Sequence, residues 1–100
     1  MVFRIAHPAI RLHLDTGCLL LAGEDAGLLP TKFKSILVHA HASEPDLVTF
    51  DAPMASHTEF AGSLRRSEYS RWLAIEMRQA AFPIAALGRA VDYVKAIYFE

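Results

Sequence analysis

The stretch Pro83–Glu100, PIAALGRAVDYVKAIYFE, is the most regular part of this chain, and the rest is expected to fold around it. Large apolar residues recur in it at spacings of three and four: Ile84, Leu87, Val91, Val94 and Tyr98. This spacing places side chains on one face of a helix. Pro83 suits a first helical position, where its missing N–H would have no partner. The sequence therefore predicts a helix over residues 83–98 whose apolar face packs against another surface.

A second helix is predicted just before this one, over about residues 57–81. Ser56 and Glu59 have the spacing of a capping box, in which each side chain satisfies a free backbone N–H group near the other. Phe82-Pro83 ends the pattern, because proline disfavours helical backbone in the residue before it.

The first half of the chain has the pattern of strands. Short runs have the length and apolar content of strands: Val2–Ile5, Ala9–Leu14, Cys18–Ala22, Phe33–Ala42 and Leu47–Asp51. Asp15-Thr16-Gly17 is interpreted as a turn that joins two of these runs in a hairpin. Strands first and helices last predict a single α+β domain over residues 1–100. Its antiparallel sheet of four or five strands (residues 2–51) is covered on one face by two C-terminal helices.

The composition limits both the size and the function of the protein. A chain of 100 residues forms one domain with a modest core. Hydrophobic residues make up 53% of it and charged residues 21%, so it has either a dense core or a surface that a partner covers. The net charge of −1 lacks the basic excess of domains that wrap nucleic acid.

The expected location is the cytoplasm. Cys18 is the single cysteine, which excludes an internal disulfide and fits a reducing compartment. Residues 1–8 carry Arg4 and His7 and lack the apolar run of a signal peptide. Since no segment approaches the roughly 20 apolar residues of a membrane helix, no membrane contact is expected.

His39 and His41 are the strongest candidates for a metal site. Residues two apart on a strand point the same way and lie about 6.5–7 Å apart. A zinc site needs a third or fourth ligand, and His13, Asp15 and Asp51 are residues of the right type. A histidine pair alone is also typical of a half-exposed sheet face. The sequence therefore predicts no metal, with His39 and His41 kept as candidates.

No catalytic motif is present in the sequence. It has no Gly-x-Ser-x-Gly nucleophile elbow and neither of the glycine-rich loops that bind phosphates. Cys18 begins an apolar run, which is more typical of a small buried cysteine than of a nucleophile. No enzymatic activity, catalytic residue or cofactor is predicted.

The first predicted helix and the end of the second carry the candidate contact residues. Arginine interleaved with aromatic residues suits an acidic protein surface or nucleic acid, although Glu68 and Glu76 could equally pair with these arginines on a solvated face. Apolar residues off the main helical faces exceed what one core is expected to cover. The predicted partner-binding residues are Arg65, Arg66, Arg71, Trp72, Arg78, Tyr93, Ile97 and Phe99.

The favoured function is that of a small non-catalytic interaction protein, such as an adaptor or inhibitor, that binds a larger protein and forms a homodimer. One alternative is a nucleic-acid-associated regulator that uses the arginine-rich helix, although nucleic acid is not favoured as a partner. Another is a small metal or ligand binder that uses His39 and His41. Salt-dependent DNA binding and metal content after purification would separate these possibilities.

Overall fold

Strands and helices alternate along the chain in the computed structural model, which describes residues 11–78 and 83–99. The described elements are β1 (Leu12–Asp15), α1 (Thr16–Ala22), α2 (Leu29–Lys32), β2 (Leu37–Ala42), a 3-10 turn (Pro45–Leu47), α3 (His57–Arg66), β3 (Leu73–Ile75) and α4 (Pro83–Tyr98). The predicted strand Val2–Ile5 lies outside the described residues.

The described strands form a parallel sheet in the order β1-β2-β3. Asp15 lies opposite His41, and Ala42 lies opposite Ile75. The prediction of an antiparallel sheet covered on one face by two C-terminal helices is wrong. Parallel neighbours need crossover connections, and α1 and α2 lie between β1 and β2, while α3 lies between β2 and β3.

The expected hairpin at Asp15-Thr16-Gly17 is the start of a helix. Asp15 has extended backbone, and its side chain accepts a hydrogen bond of 2.9 Å from the backbone N–H of Cys18, which makes it the N-cap of α1. The helix ends at Gly23, whose φ of 70° is the left-handed conformation that glycine adopts without strain. The apolar run Cys18–Ala22 is therefore helical and not a strand.

Two further elements differ from the prediction. Leu47–Asp51 forms no strand, because the chain turns sharply at Asp46 and Leu47, whose φ values are 59° and 58°. The helix expected over residues 57–81 ends at Arg66, and Glu68 has a φ of 57°. A left-handed residue cannot continue an α-helix, so the chain turns there and enters β3.

One face of the sheet forms the core with the last two long helices. Ala40 and Ala42 are buried there beside Phe60 and Leu64 of α3. Helix α4 packs against α3 and buries Ala86, Ala90, Val94 and Tyr98. Ile84 in the first turn of α4 is 87% exposed. No helix within the described ranges has the length and apolar content needed to cross a bilayer.

The opposite face of the sheet is polar. Successive side chains on a strand alternate between faces, so His13 and Asp15 of β1 share a face with His39 and His41 of β2. The rings of His13 and His41 are in edge contact, with centroids 4.2 Å apart. This face carries the candidate functional site.

Candidate metal centre

Three potential metal ligands meet at the C-terminal edge of the sheet. Asp15 ends β1, His41 lies near the end of β2, and Glu76 directly follows β3. One ligand atom from each of them lies within 4.8 Å of the other two. The carboxyl ends of parallel strands share one edge of a sheet, which is where open α/β folds bind their ligands.

The Nδ1 atom of His41 lies close to a carboxylate oxygen of each of the two acidic residues. His41 Nδ1 lies 2.7 Å from Glu76 Oε2 and 3.7 Å from Asp15 Oδ2. This buried nitrogen has no hydrogen-bond partner in the part of the chain that the structure describes. Two carboxylates and an imidazole with an available lone pair fit a divalent first-row cation.

Hydrogen bonds fix the orientation of Asp15. Its Oδ1 atom accepts from the Ser43 hydroxyl at 2.6 Å and from the Cys18 backbone N–H at 2.9 Å, which leaves Oδ2 to face His41. Burial raises the pKa of Asp15, but these hydrogen bonds and the charge of His41 outweigh it and bring the pKa below the usual value. Asp15 is therefore ionised at neutral pH.

The junction of β1 and α1 is fastened to the end of β2. The Thr16 hydroxyl donates to the Ser43 carbonyl at 2.8 Å and accepts from the Ser43 backbone N–H at 2.8 Å. The Gly17 N–H donates to the Ser43 hydroxyl at 3.0 Å. A Cβ atom on Gly17 would lie 2.6 Å from the carbonyl oxygen of Glu44, so the two segments approach as closely as only glycine allows.

A cleft of about 570 Å³ opens beside the three ligands. Leu19 and Leu21 of α1 form an apolar wall, while Asp15, Asp46 and Glu76 are acidic residues of the lining. Among the described residues that line it, none is a lysine or an arginine. The described part of the cleft therefore offers an anion no side chain of opposite charge.

The loop that follows β2 is anchored by a buried polar network. The Glu44 side chain is fully buried and accepts a hydrogen bond of 3.1 Å from the Ala55 backbone N–H. Its other oxygen contacts His57 Nε2, while His57 Nδ1 and the Tyr98 hydroxyl share a hydrogen bond of 2.8 Å. Burial raises the pKa of Tyr98. The network ties this wall of the cleft to α3 and to the end of α4.

The candidate ligands named from sequence are only partly brought together. His41 lies in the ligand cluster, and His39 Nε2 lies 2.9 Å from His41 Nε2. Asp51 instead pairs with Arg89 on the surface, with 2.6 Å between Oδ1 and Nε. Cys18 is an exposed residue in the first turn of α1. Partial desolvation of its thiol and the neighbouring Asp15 carboxylate raise its pKa.

Two of the predicted contact arginines form hydrogen bonds within the chain. Arg65 donates to the carbonyls of Ile97 and Tyr98 at the end of α4, both at 3.3 Å. Arg66 donates to the Gly27 carbonyl at 3.3 Å. The side chains of Arg71 and Arg78 are exposed beyond the end of α3. At least two of the arginines therefore connect parts of the chain.

The predicted apolar contact residues divide into two groups. Trp72 and Phe99 are exposed, by 84% and 68% respectively. Tyr93 and Ile97 are half-buried and pack against the core. The homodimer and the protein partner stay predictions, as do the partner-binding roles of these residues and the cytoplasmic location.

Glu76 is the ligand that sequence reasoning missed. It was grouped with the arginines of a continuous helix, so it was interpreted as a surface charge. The signal that could have found it is its position directly after the apolar run Leu73–Ile75, since a carboxylate at the end of a short buried strand lies at a sheet edge.

Solved structures with a similar fold include three sugar epimerases. A D-allulose 3-epimerase from Methylomonas sp. aligns with 97% of this chain at 15% identity and a TM-score of 0.78, and the chain covers 40% of it. For a 3-keto-D-glucoside 4-epimerase from E. coli the identity is 12% and the TM-score 0.82, over 95% of this chain and 36% of that one. For a D-psicose 3-epimerase the identity is 14% and the TM-score 0.80, and the alignment covers 99% of this chain and 42% of that one.

The likeness is one of fold, and it extends over part of those enzymes. No protein-family model and no curated protein matches the sequence. The chain spans 36–42% of the length of the three structures, which are barrel-like epimerases. The predictions of a non-enzymatic adaptor or inhibitor are wrong on this finding, because the parallel fold is shared with enzymes. The alternative function, a nucleic-acid-associated regulator, is wrong on the same finding.

Proposed function

We propose that this chain is part of the catalytic domain of a metal-dependent sugar epimerase, with Asp15, His41 and Glu76 as ligands of a divalent cation. The observation that carries this proposal is the convergence of these three side chains at the C-terminal edge of a parallel sheet. Barrel enzymes place their active sites at this end of the strands.

The proposed chemistry follows from the site. A bound divalent cation supplies Lewis-acid stabilisation of negative charge on a substrate oxygen. Epimerisation beside a carbonyl requires a base that takes a proton from carbon and an acid that returns a proton to the opposite face of that carbon. A carboxylate within hydrogen-bond reach is suited to the first role. The Glu76 side chain is 46% exposed at the cleft, so a bound sugar can approach it. Asp15 is held by Ser43 and serves to orient the site.

The substrate class that fits is an unphosphorylated keto sugar. The fold is shared with proteins named for D-allulose, D-psicose and L-ribulose. Among the described lining residues, neither lysine nor arginine occurs, so this part of the cleft offers a phosphate group no side chain of opposite charge. The activity belongs to the whole catalytic domain, of which this chain provides a part.

Metal binding tests the proposal directly. Titration of the purified chain with Mn²⁺ and Co²⁺ in a calorimeter is expected to show one site. Asp15→Asn and Glu76→Gln should each weaken binding by at least about tenfold, the lower end of what even loss of an outer-shell partner costs. Asp51→Asn is the matched control, because Asp51 is an exposed carboxylate outside the cluster. Equal affinities for wild type and Asp15→Asn would refute the proposal.

A further inference from the structure

His39 is a candidate ligand whose ring nitrogen contacts the proposed centre although His39 does not belong to the ligand cluster. It precedes His41 by two residues on β2, so both rings lie on the polar face of the sheet. Its Nε2 atom lies 2.9 Å from Nε2 of His41, whereas the ligand cluster contains His41 and not His39. The contact therefore acts on the ring nitrogen that faces away from the cluster.

The two nitrogens of His41 have different surroundings. Nδ1 faces Glu76 and Asp15 and has no hydrogen-bond partner among the described residues. Nε2 faces His39. A neutral imidazole carries its single proton on one nitrogen, and the hydrogen bond made by that nitrogen decides which one is left to bind a metal.

We infer that His39 is a positioning residue that accepts a hydrogen bond from Nε2–H of His41 and so holds His41 Nδ1 unprotonated toward the cation. This inference rests on the proposed function, because the cation is the reason that Nδ1 must stay free. Metal-binding histidines generally use their second nitrogen to hold the ring in this way. Here the acceptor is a second histidine on the same strand.

His13 provides a matched control for His39. Both lie on the polar face and both rings contact the ring of His41, with centroid distances of 4.2 Å for His13 and 4.7 Å for His39. Only the contact with His39 has the geometry of a hydrogen bond between ring nitrogens among the described contacts. Loss of His13 therefore removes ring packing, and loss of His39 removes the acceptor as well.

The test combines Co²⁺ titration with long-range ¹H–¹⁵N spectra of the metal-free histidines. His39→Leu is expected to weaken Co²⁺ binding by about 10–100-fold, the usual effect of losing such a partner. His39→Gln should keep most of the Co²⁺ affinity, because the amide oxygen can accept the same hydrogen bond. His13→Leu should change the Co²⁺ affinity little. In the spectra, wild-type His41 should carry its proton on Nε2, and His39→Leu should give a mixture of tautomers.

The outcomes separate the two ideas. Wild-type protein that binds no Co²⁺ would overturn the metal centre and the inference with it. Wild-type protein that binds Co²⁺ as tightly as His39→Leu, or that carries the His41 proton on Nδ1, would overturn the inference alone. The same holds if His13→Leu weakens binding as much as His39→Leu does.

Discussion

Gly17 gives the sharpest test of how the two halves of the site are packed together. In a Gly17→Ala variant the new Cβ atom would lie 2.6 Å from the Glu44 carbonyl oxygen and 2.7 Å from the Glu44 carbonyl carbon. It would also lie 2.7 Å from the Ser43 hydroxyl. Two of these three atoms are backbone, so no rotation of a side chain relieves the overlap.

The surrounding structure resists a shift of either segment. Ser43 is held by two hydrogen bonds to the Thr16 hydroxyl, and the Glu44 side chain is held by the buried contact with His57. Overpacking of this kind costs about 1–3 kcal/mol. The displaced Gly17 N–H also weakens a hydrogen bond worth about 1 kcal/mol. The higher helix propensity of alanine offsets up to about 1 kcal/mol of this cost, so the free energy of unfolding should fall by about 1–3 kcal/mol in total.

Thermal unfolding followed by circular dichroism measures this loss. At about 4–8 °C per kcal/mol for a domain of this size, the midpoint should fall by roughly 4–24 °C. Gly88→Ala is the matched control, because Gly88 lies inside α4 and a Cβ atom there meets nothing within 4 Å. The Gly88→Ala variant should be more stable than wild type by up to about 1 kcal/mol. A Gly17→Ala midpoint equal to or above that of wild type would refute the close approach.

Three further predictions concern stability. Glu44→Leu leaves the buried Nε2 atom of His57 and two backbone N–H groups of the loop without their partner, and it should lower the free energy of unfolding in urea by about 3–5 kcal/mol. Arg89→Ala breaks an exposed pair and should change this free energy little, so similar losses would contradict the buried network. Since Tyr98 keeps its proton when folded but loses it when unfolded, stability should fall as pH rises above about 10, less steeply in Tyr98→Phe; parallel pH profiles would disprove this. Val94→Asp should lower the free energy of unfolding by several kcal/mol, and Ile84→Asp should lower it by less than about 0.5 kcal/mol. The reverse order would show that α4 buries a different face.

The proposed site was partly visible in the sequence. The alternation of β1 and β2 places His39 and His41 on one face, and the structure shows this face with Asp15 at its edge. The third ligand was not visible, because Glu76 lies beyond a strand that was predicted to be helix. That error arose from the pattern of residues 63–78, in which apolar groups recur at helical spacing even though β3 is three residues long.

Local sequence alone determined the strand alternation in Leu12–Asp15 and Leu37–Ala42 and the helical periodicity after Pro83. These features depend on the chemistry of neighbouring residues and need no knowledge of the rest of the chain. The choice between turn and helix at Asp15 was not determined in this way, because an aspartate before Thr-Gly serves equally in a turn and as an N-cap.

Two features depend on contacts between distant parts of the chain: the parallel direction of β1, β2 and β3, and the burial of alanines by α4 while Ile84 faces solvent. Strand direction depends on where the chain returns to the sheet. The buried face of a helix depends on how closely its partner approaches. The spacing of residues in the sequence determines neither property. The convergence of Asp15, His41 and Glu76 follows from that return, because parallel pairing brings the ends of strands far apart in sequence to one edge.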